Sequence, residues 1–348
     1  MQTKTIVPPI FLALCFAVGN VHAIDEAAPN KRPVKAIADS RIQVSTAAGN
    51  GMLPLYLSQD WSKPQPEITR AVLVFHGRLR DADVYWRSAQ KALAASGDAQ
   101  HTLMIVPQFL ADADIPAHHL PDDVLHWQWE SWMGGENANG PAPLSSFDAI
   151  DAILAQLSDR KRFPNLKDVV VAGHSGGAQV VQRYAVVGKA EDLMGRLGVH
   201  IRYVVANPSS YLYFSEYRPA PSAPGCPQFN QWKYGWPGAP SYAQMKTPQA
   251  YEDAYAARDV VYLLGTADTN PNHPALDKSC SAEMQGPYRY ARGSSYFAYM
   301  QQRHPQMTTQ RLERVEGVGH DGDGMFTSAC GLSVLFDHGV CEQPAERK

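Results

Sequence analysis

The chain has 348 residues, 45% of them hydrophobic and 19% charged, with a formal charge of -3 and a pI near 6.5. That balance excludes a disordered chain, which lacks the apolar content to bury. It also argues against a nucleic-acid partner, which calls for a basic face, and no internal repeat is visible.

Residues 1–23 read as a secretory signal peptide rather than as part of the fold. Lys4 gives a positive start, IFLALCFAV an apolar centre, and Val21-His22-Ala23 a small-residue cleavage site. The apolar run is too short to span a bilayer, so the expectation is an exported protein, secreted or periplasmic, with no membrane span. Removal of Cys15 with this segment leaves Cys226, Cys280, Cys330 and Cys341. An even number in an exported chain points to disulfides. Of the three pairings, Cys226–Cys280 with Cys330–Cys341 is favoured, because the second closes a short loop.

Residues 24–40 are polar and proline-bearing, a loose lead-in. Residues 41–61 predict two strands around a Gly49-Asn50-Gly51 turn. RAVLVFHG (70–77) is an apolar run ended by glycine, a fully buried strand. A helix follows over 81–96, then a second buried strand, HTLMIVPQ (101–108), stopped by Pro107. SSFDAIDAILAQLSD (145–159) is an amphipathic helix with Phe147, Ile150, Ile153, Leu154 and Leu157 on one side, capped by Ser145 or Ser146. DVVVAG (168–173) is a strand and AQVVQRYAVV (178–187) a helix. HIRYVVAN (200–207) and DVVYLLG (259–265) are further strands. A helix is expected over 281–302, a weaker strand over 310–320, and a closing helix over 326–337. Buried strands alternating with helices imply an α/β fold with a mostly parallel sheet covered on both faces. No linker divides the chain, so residues 65–340 are read as one domain, preceded by the lead-in and hairpin of 24–64.

Between the strand and helix at 168–187 stands Gly173-His174-Ser175-Gly176-Gly177, a G-x-S-x-G pattern. A glycine weakens either neighbour, so its presence needs a reason. A strand-to-helix turn sharp enough to lift a serine hydroxyl into the open leaves no room for side chains two positions away. In open parallel sheets ligands bind beyond the carboxyl ends of the strands, where Ser175 lies. The strand–elbow–helix context, together with the element order over roughly residues 65–340, resembles the α/β-hydrolase superfamily.

That resemblance implies a serine hydrolase with nucleophile, acid and base in that chain order. Ser175 is the implied nucleophile. Asp268, in LLGTADTN after the strand at 259–265, matches the acid, with Asp277 as an alternative. His320, in GVGHDGDG on a glycine-rich loop after the last strand, matches the base, ahead of His338, His304 and His273. Asp321 is adjacent to His320 and poorly placed to reach the far side of its ring. For the oxyanion, the implied donors are the backbone N–H of Gly176 and that of Arg78 in the His76-Gly77-Arg78 turn, with His76 a structural residue. Arg78 departs from the glycine-rich form of that turn. The implied substrate is a carboxylic ester, small or polymeric, and no cofactor is required. A peptidase or amidase on the same residues, and a non-catalytic binding protein on the same scaffold, are the alternatives.

The stretches 109–144 and 208–258 are too long for simple connections. Their aromatic residues, in HWQWESWMGGENANG, SSYLYFSEYRP and FNQWKYGWPG, suit either a cap over Ser175 that takes sugars, aromatic acyl groups or polyesters, or a satellite core. Asp321-Gly322-Asp323-Gly324 offers too few oxygens for calcium and reads as a turn. His118-His119 lacks a third metal ligand and reads as a surface loop.

Overall fold

A computed structural model describes residues 29–220 and 225–342. The expected signal peptide lies outside the described residues. In chain order the elements are β1 (Ser40–Thr46), β2 (Gly49–Leu57), β3 (Arg70–Phe75), α1 (Ala82–Ser96), β4 (Thr102–Pro107), β5 (Leu110–Ala111), α2 (Asp114–Ala117), β6 (His126–Trp127) and α3 (Ser146–Leu157). There follow β7 (Asp168–His174), α4 (Gly176–Val187), α5 (Ala190–Arg196), β8 (His200–Ala206), α6 (Pro248–Ala257) and β9 (Asp259–Gly265). The chain continues through α7 (Cys280–Glu283), α8 (Arg289–Arg303), β10 (Gln310–Val315), α9 (Gly322–Thr327) and α10 (Ala329–Phe336).

Eight strands form one sheet in the order β1-β2-β4-β3-β7-β8-β9-β10. The β1/β2 and β2/β4 pairs are antiparallel, and the rest are parallel. Strand side chains alternate between faces, which explains the unbroken apolar runs. Leu73, Ile105, Val171, Tyr203 and Tyr262 join one core, with α3, α4 and α8 packed on it. Val72, Met104, Val170, Val204 and Val261 join the other, under α1, α9 and α10. The α3 residues Phe147, Ile150, Ile153, Leu154 and Leu157 are all buried. Ser145 caps that helix in a reciprocal box with Asp148.

The structure differs from the sequence expectations in four places. The hairpin turns at residues 47–48, since Thr46 already pairs with Gly49, and β2 carries it into the main sheet through β4. The helix expected over 281–302 is two, α7 and α8, separated by a segment that contains Pro287. Proline disfavours helix in the residue before it. The closing helix is also two, because Ser328 leaves the helical conformation to cap α10. The lead-in is pinned from residue 29 onward: buried Arg80 donates to the carbonyls of Asn30 and Arg32 and bridges Asp114 at 3.0 Å, while Val34 N–H donates to Asp114.

Disulfides join Cys226 to Cys280 and Cys330 to Cys341, the expected pairing. Among the described residues no helix is long and apolar enough to cross a membrane.

Candidate active site

Ser175 lies between β7 and α4 with φ 59° and ψ -114°, a left-handed backbone for a residue with a side chain. Its N–H donates to Ala206 O at 2.9 Å, which ties the turn to β8. The flanking glycines are sterically required. A Cβ on Gly173 would lie 2.3 Å from the Gly177 carbonyl, and one on Gly177 would lie 2.2 Å from Phe75 O. Gly176 is required for a separate reason: its Cβ would meet the Arg78 amide nitrogen and Met133 Sδ, each at 2.8 Å. The β3–α1 turn therefore runs directly against the start of α4.

His320 Nε2 is 2.9 Å from Ser175 Oγ, and His320 Nδ1 is 2.8 Å from Asp268 Oδ2. Ser175 and Asp268 are 5% and 2% exposed. The three residues thus converge from the ends of β7, β9 and β10, 145 and 52 positions apart. Burial pulls the His320 imidazolium below its ordinary range, and the hydrogen bond to Asp268 opposes that shift. The neutral ring that results can take a proton at Nε2 while Nδ1–H stays on the carboxylate.

The Asp268 turn is built from glycine and from α8. Asp268 N–H donates to Gly265 O at 3.1 Å, and Tyr290 N–H donates to Asp268 O at 3.2 Å. Gly265 admits no side chain, since a Cβ would sit 2.4 Å from Val318 O. Arg289, which the sequence reading does not single out, is fully buried and faces Asp268 Oδ1 at 3.4 Å while donating to Ser209 Oγ. Burial lowers its guanidinium to about 10 against the pull of Asp268, so it is charged at neutral pH. It keeps one carboxylate oxygen engaged and leaves the other to His320.

On the opposite side, buried His76 shapes the β3–α1 turn. Its Nδ1 is 2.8 Å from Gly77 O, and its Nε2 accepts from Phe109 N–H at 2.9 Å. Those partners fix a neutral ring that donates from Nδ1, and burial lowers its pKa to about 4. With the Gly77 carbonyl drawn toward His76, the Arg78 N–H of the same trans peptide points the opposite way. The first N–H groups of α4 have no intrahelical acceptor. Gly176 and Arg78 thus lie side by side at the start of α4, where a Cβ on Gly176 would touch the Arg78 amide nitrogen.

The alternatives to the expected residues have other partners. Asp277 accepts from Tyr234 OH at 2.7 Å, and Asp321 caps α9. His304 contacts Glu252, and His338 lies at the exposed end of α10. His273 stands edge-on to His320 with ring centroids 5.0 Å apart. His174, also missed, packs at a tilt against His320 with ring centroids 4.6 Å apart and bonds Tyr85 OH. His118 contacts Val34 O. Among the described residues no group of three or more His, Cys, Asp or Glu is arranged to hold a metal ion.

Two cavities open onto Ser175. One, about 270 Å³, is walled by Leu79, Val84, Tyr85, His273 and His320. The other, about 230 Å³, is polar and walled by Gly176, Glu130, Lys233, Tyr234 and Asp277. The insertions contribute mainly to the second. Most of their aromatic residues instead join the core on one face of the main sheet: Trp127, Trp132, Tyr211 and Tyr213 are fully buried in it, and Trp132 packs on His76 and Phe109.

No protein-family model and no curated relative matches the chain. Solved structures do. A poly(3-hydroxybutyrate) depolymerase from Bordetella parapertussis superposes with a TM-score of 0.60 at 23% identity, over 89% of this chain and 93% of that one. A poly(aspartic acid) hydrolase from Sphingomonas sp. superposes with a TM-score of 0.57 at 20% identity, over 88% of this chain and 99% of that one. The strand order, the elbow and these likenesses show that the chain has the α/β-hydrolase fold.

Proposed function

We propose that the protein is an exported serine hydrolase that cleaves a carboxylic ester through an acyl-enzyme on Ser175. The observation that carries this reading is the hydrogen-bonded chain from Ser175 Oγ through His320 to Asp268 at 2.9 and 2.8 Å, beyond the carboxyl ends of parallel strands. Ser175 Oγ attacks the ester carbon as its proton passes to His320 Nε2. The imidazolium is stabilised by Asp268. The N–H groups of Gly176 and Arg78 receive the oxyanion. His320 then protonates the departing alcohol, and water enters by the same route to release the acid. Known structures that share the fold include hydrolases of polymers, and the two disulfides support an oxidising compartment.

The test is steady-state hydrolysis of a series of short acyl and aromatic esters, with matched amides, across pH. Turnover requires neutral His320. Because burial lowers its pKa, the acidic limb of kcat/KM is expected to have its midpoint below the ordinary histidine value of about 6.5. Rates rise with pH through that midpoint. A limb well above it, or turnover of amides in preference to esters, contradicts the reading.

A further inference from the structure

The polar cavity beside Ser175 contains a lysine that, among the described residues, has no carboxylate within ion-pair distance. Lys233, half-buried on the 208–258 insertion, lines this cavity together with Ser175 and Gly176. The other cations at its rim are paired. The Arg78 side chain faces Glu130 at 3.3 Å, and Lys278 faces Glu283 at 3.0 Å. Of the carboxylates nearby, Asp277 accepts from Tyr234 OH at 2.7 Å and from Ser279 N–H at 3.0 Å. None among the described residues is within ion-pair distance of the Lys233 ammonium.

The backbone that presents this lysine is fixed. Buried Arg183 on α4 donates to Lys233 O from Nε at 3.0 Å and from Nη2 at 2.9 Å. Tyr213 N–H donates to Tyr234 O at 3.0 Å, and Trp232 Nε1 donates to Gly134 O at 2.7 Å. The ammonium lies 5.8 Å from the centroid of the Tyr234 ring, and a partly desolvated ammonium with no ion pair is destabilising. Burial draws its pKa down, opposed chiefly by Asp277. A side chain held in that state next to the reacting atoms gains most when an anion enters with the substrate.

We infer that Lys233 is a specificity-determining residue that selects esters bearing a free carboxylate near the scissile bond. This rests on the ester-hydrolase reading above. The carboxylate would take the place of the missing counter-ion, with Ser209 and Gln179 on the same wall as further polar contacts.

The test compares kcat/KM within two pairs. One is mono(para-nitrophenyl) glutarate against its methyl-capped ester, with the anion on the acyl side. The other is meta-butanoyloxybenzoate against its methyl ester, with the anion on the leaving group. The charged member is expected to win in at least one pair by about tenfold or more, the scale of a charge-assisted hydrogen bond. Raised salt narrows the ratio, Lys233→Met brings it near one, and Lys233→Arg retains it. A merely structural lysine would lower both members together and leave the ratio intact. No preference in either pair, or a preference that survives Lys233→Met, overturns the inference alone. Hydrolysis of none of the four overturns the ester reading with it.

Discussion

The elbow between β7 and α4 and the two long insertions meet at Ser175, yet they are built on opposite terms. In the elbow each glycine answers a collision with backbone: Gly173 against Gly177, Gly177 against Phe75 O, Gly176 against the Arg78 amide. The insertions are held by side-chain hydrogen bonds and packing. Trp232 bonds Gly134 across 98 positions, and Arg183 grips Lys233 across 50. Most of their aromatics are consumed in packing, and what reaches the cavity is Glu130, Met133, Ser209, Lys233 and Tyr234. The elbow is thus fixed by steric exclusion, and the insertions by side-chain packing and hydrogen bonds.

If that contrast holds, the two regions respond differently to substitution. The largest effect is expected at the elbow. Gly177→Ala puts a methyl 2.2 Å from Phe75 O, backbone that cannot swing aside. We expect a loss of at least about a hundredfold in kcat/KM, since displacement near 1 Å at the reacting atoms has that effect. A stability loss of about 1–3 kcal/mol should accompany it, read by denaturant titration. Near-native activity would show that the elbow tolerates a side chain and would dissolve the comparison. A smaller effect is expected in the insertions. Trp232→Phe removes the bond to Gly134 O and should lower stability by about 1 kcal/mol. The change in kcat/KM should stay within about fivefold, because the reacting residues are held elsewhere. A loss as large as that at Gly177 would mean that the insertions also position the reactive groups.

The same division explains what the sequence makes legible. Strands such as DVVVAG and DVVYLLG are readable because burial on both faces leaves an unbroken apolar run. The elbow is readable because its steric demands fall on adjacent residues. Asp268 and His320 are found only through the resemblance, since neither a turn aspartate nor a loop histidine carries a local mark of its task. Arg289 and His174 are missed for a related reason. Arg289 lies on α8, 21 positions from Asp268, and nothing in RYARGSSY separates a buried arginine from an exposed one. His174 sits inside the G-x-S-x-G pattern at a variable position, where its ring contact with His320 has no sequence signature. The aromatic run at 211–217 reads equally as cap or core. The structure resolves it as mostly core, because Tyr211 stacks on Tyr296 of α8 and Tyr213 meets the same ring edge-on.

The central claim is that Ser175, His320 and Asp268 act as one unit, and covalent labelling tests it most directly. A fluorophosphonate probe should attach to the folded wild-type protein at Ser175, located by peptide mass. Labelling should vanish in Ser175→Ala and slow by at least about a thousandfold in His320→Ala, because triad members fail together. Absence of label on folded wild-type protein, attachment at another serine, or a wild-type labelling rate in His320→Ala would contradict it.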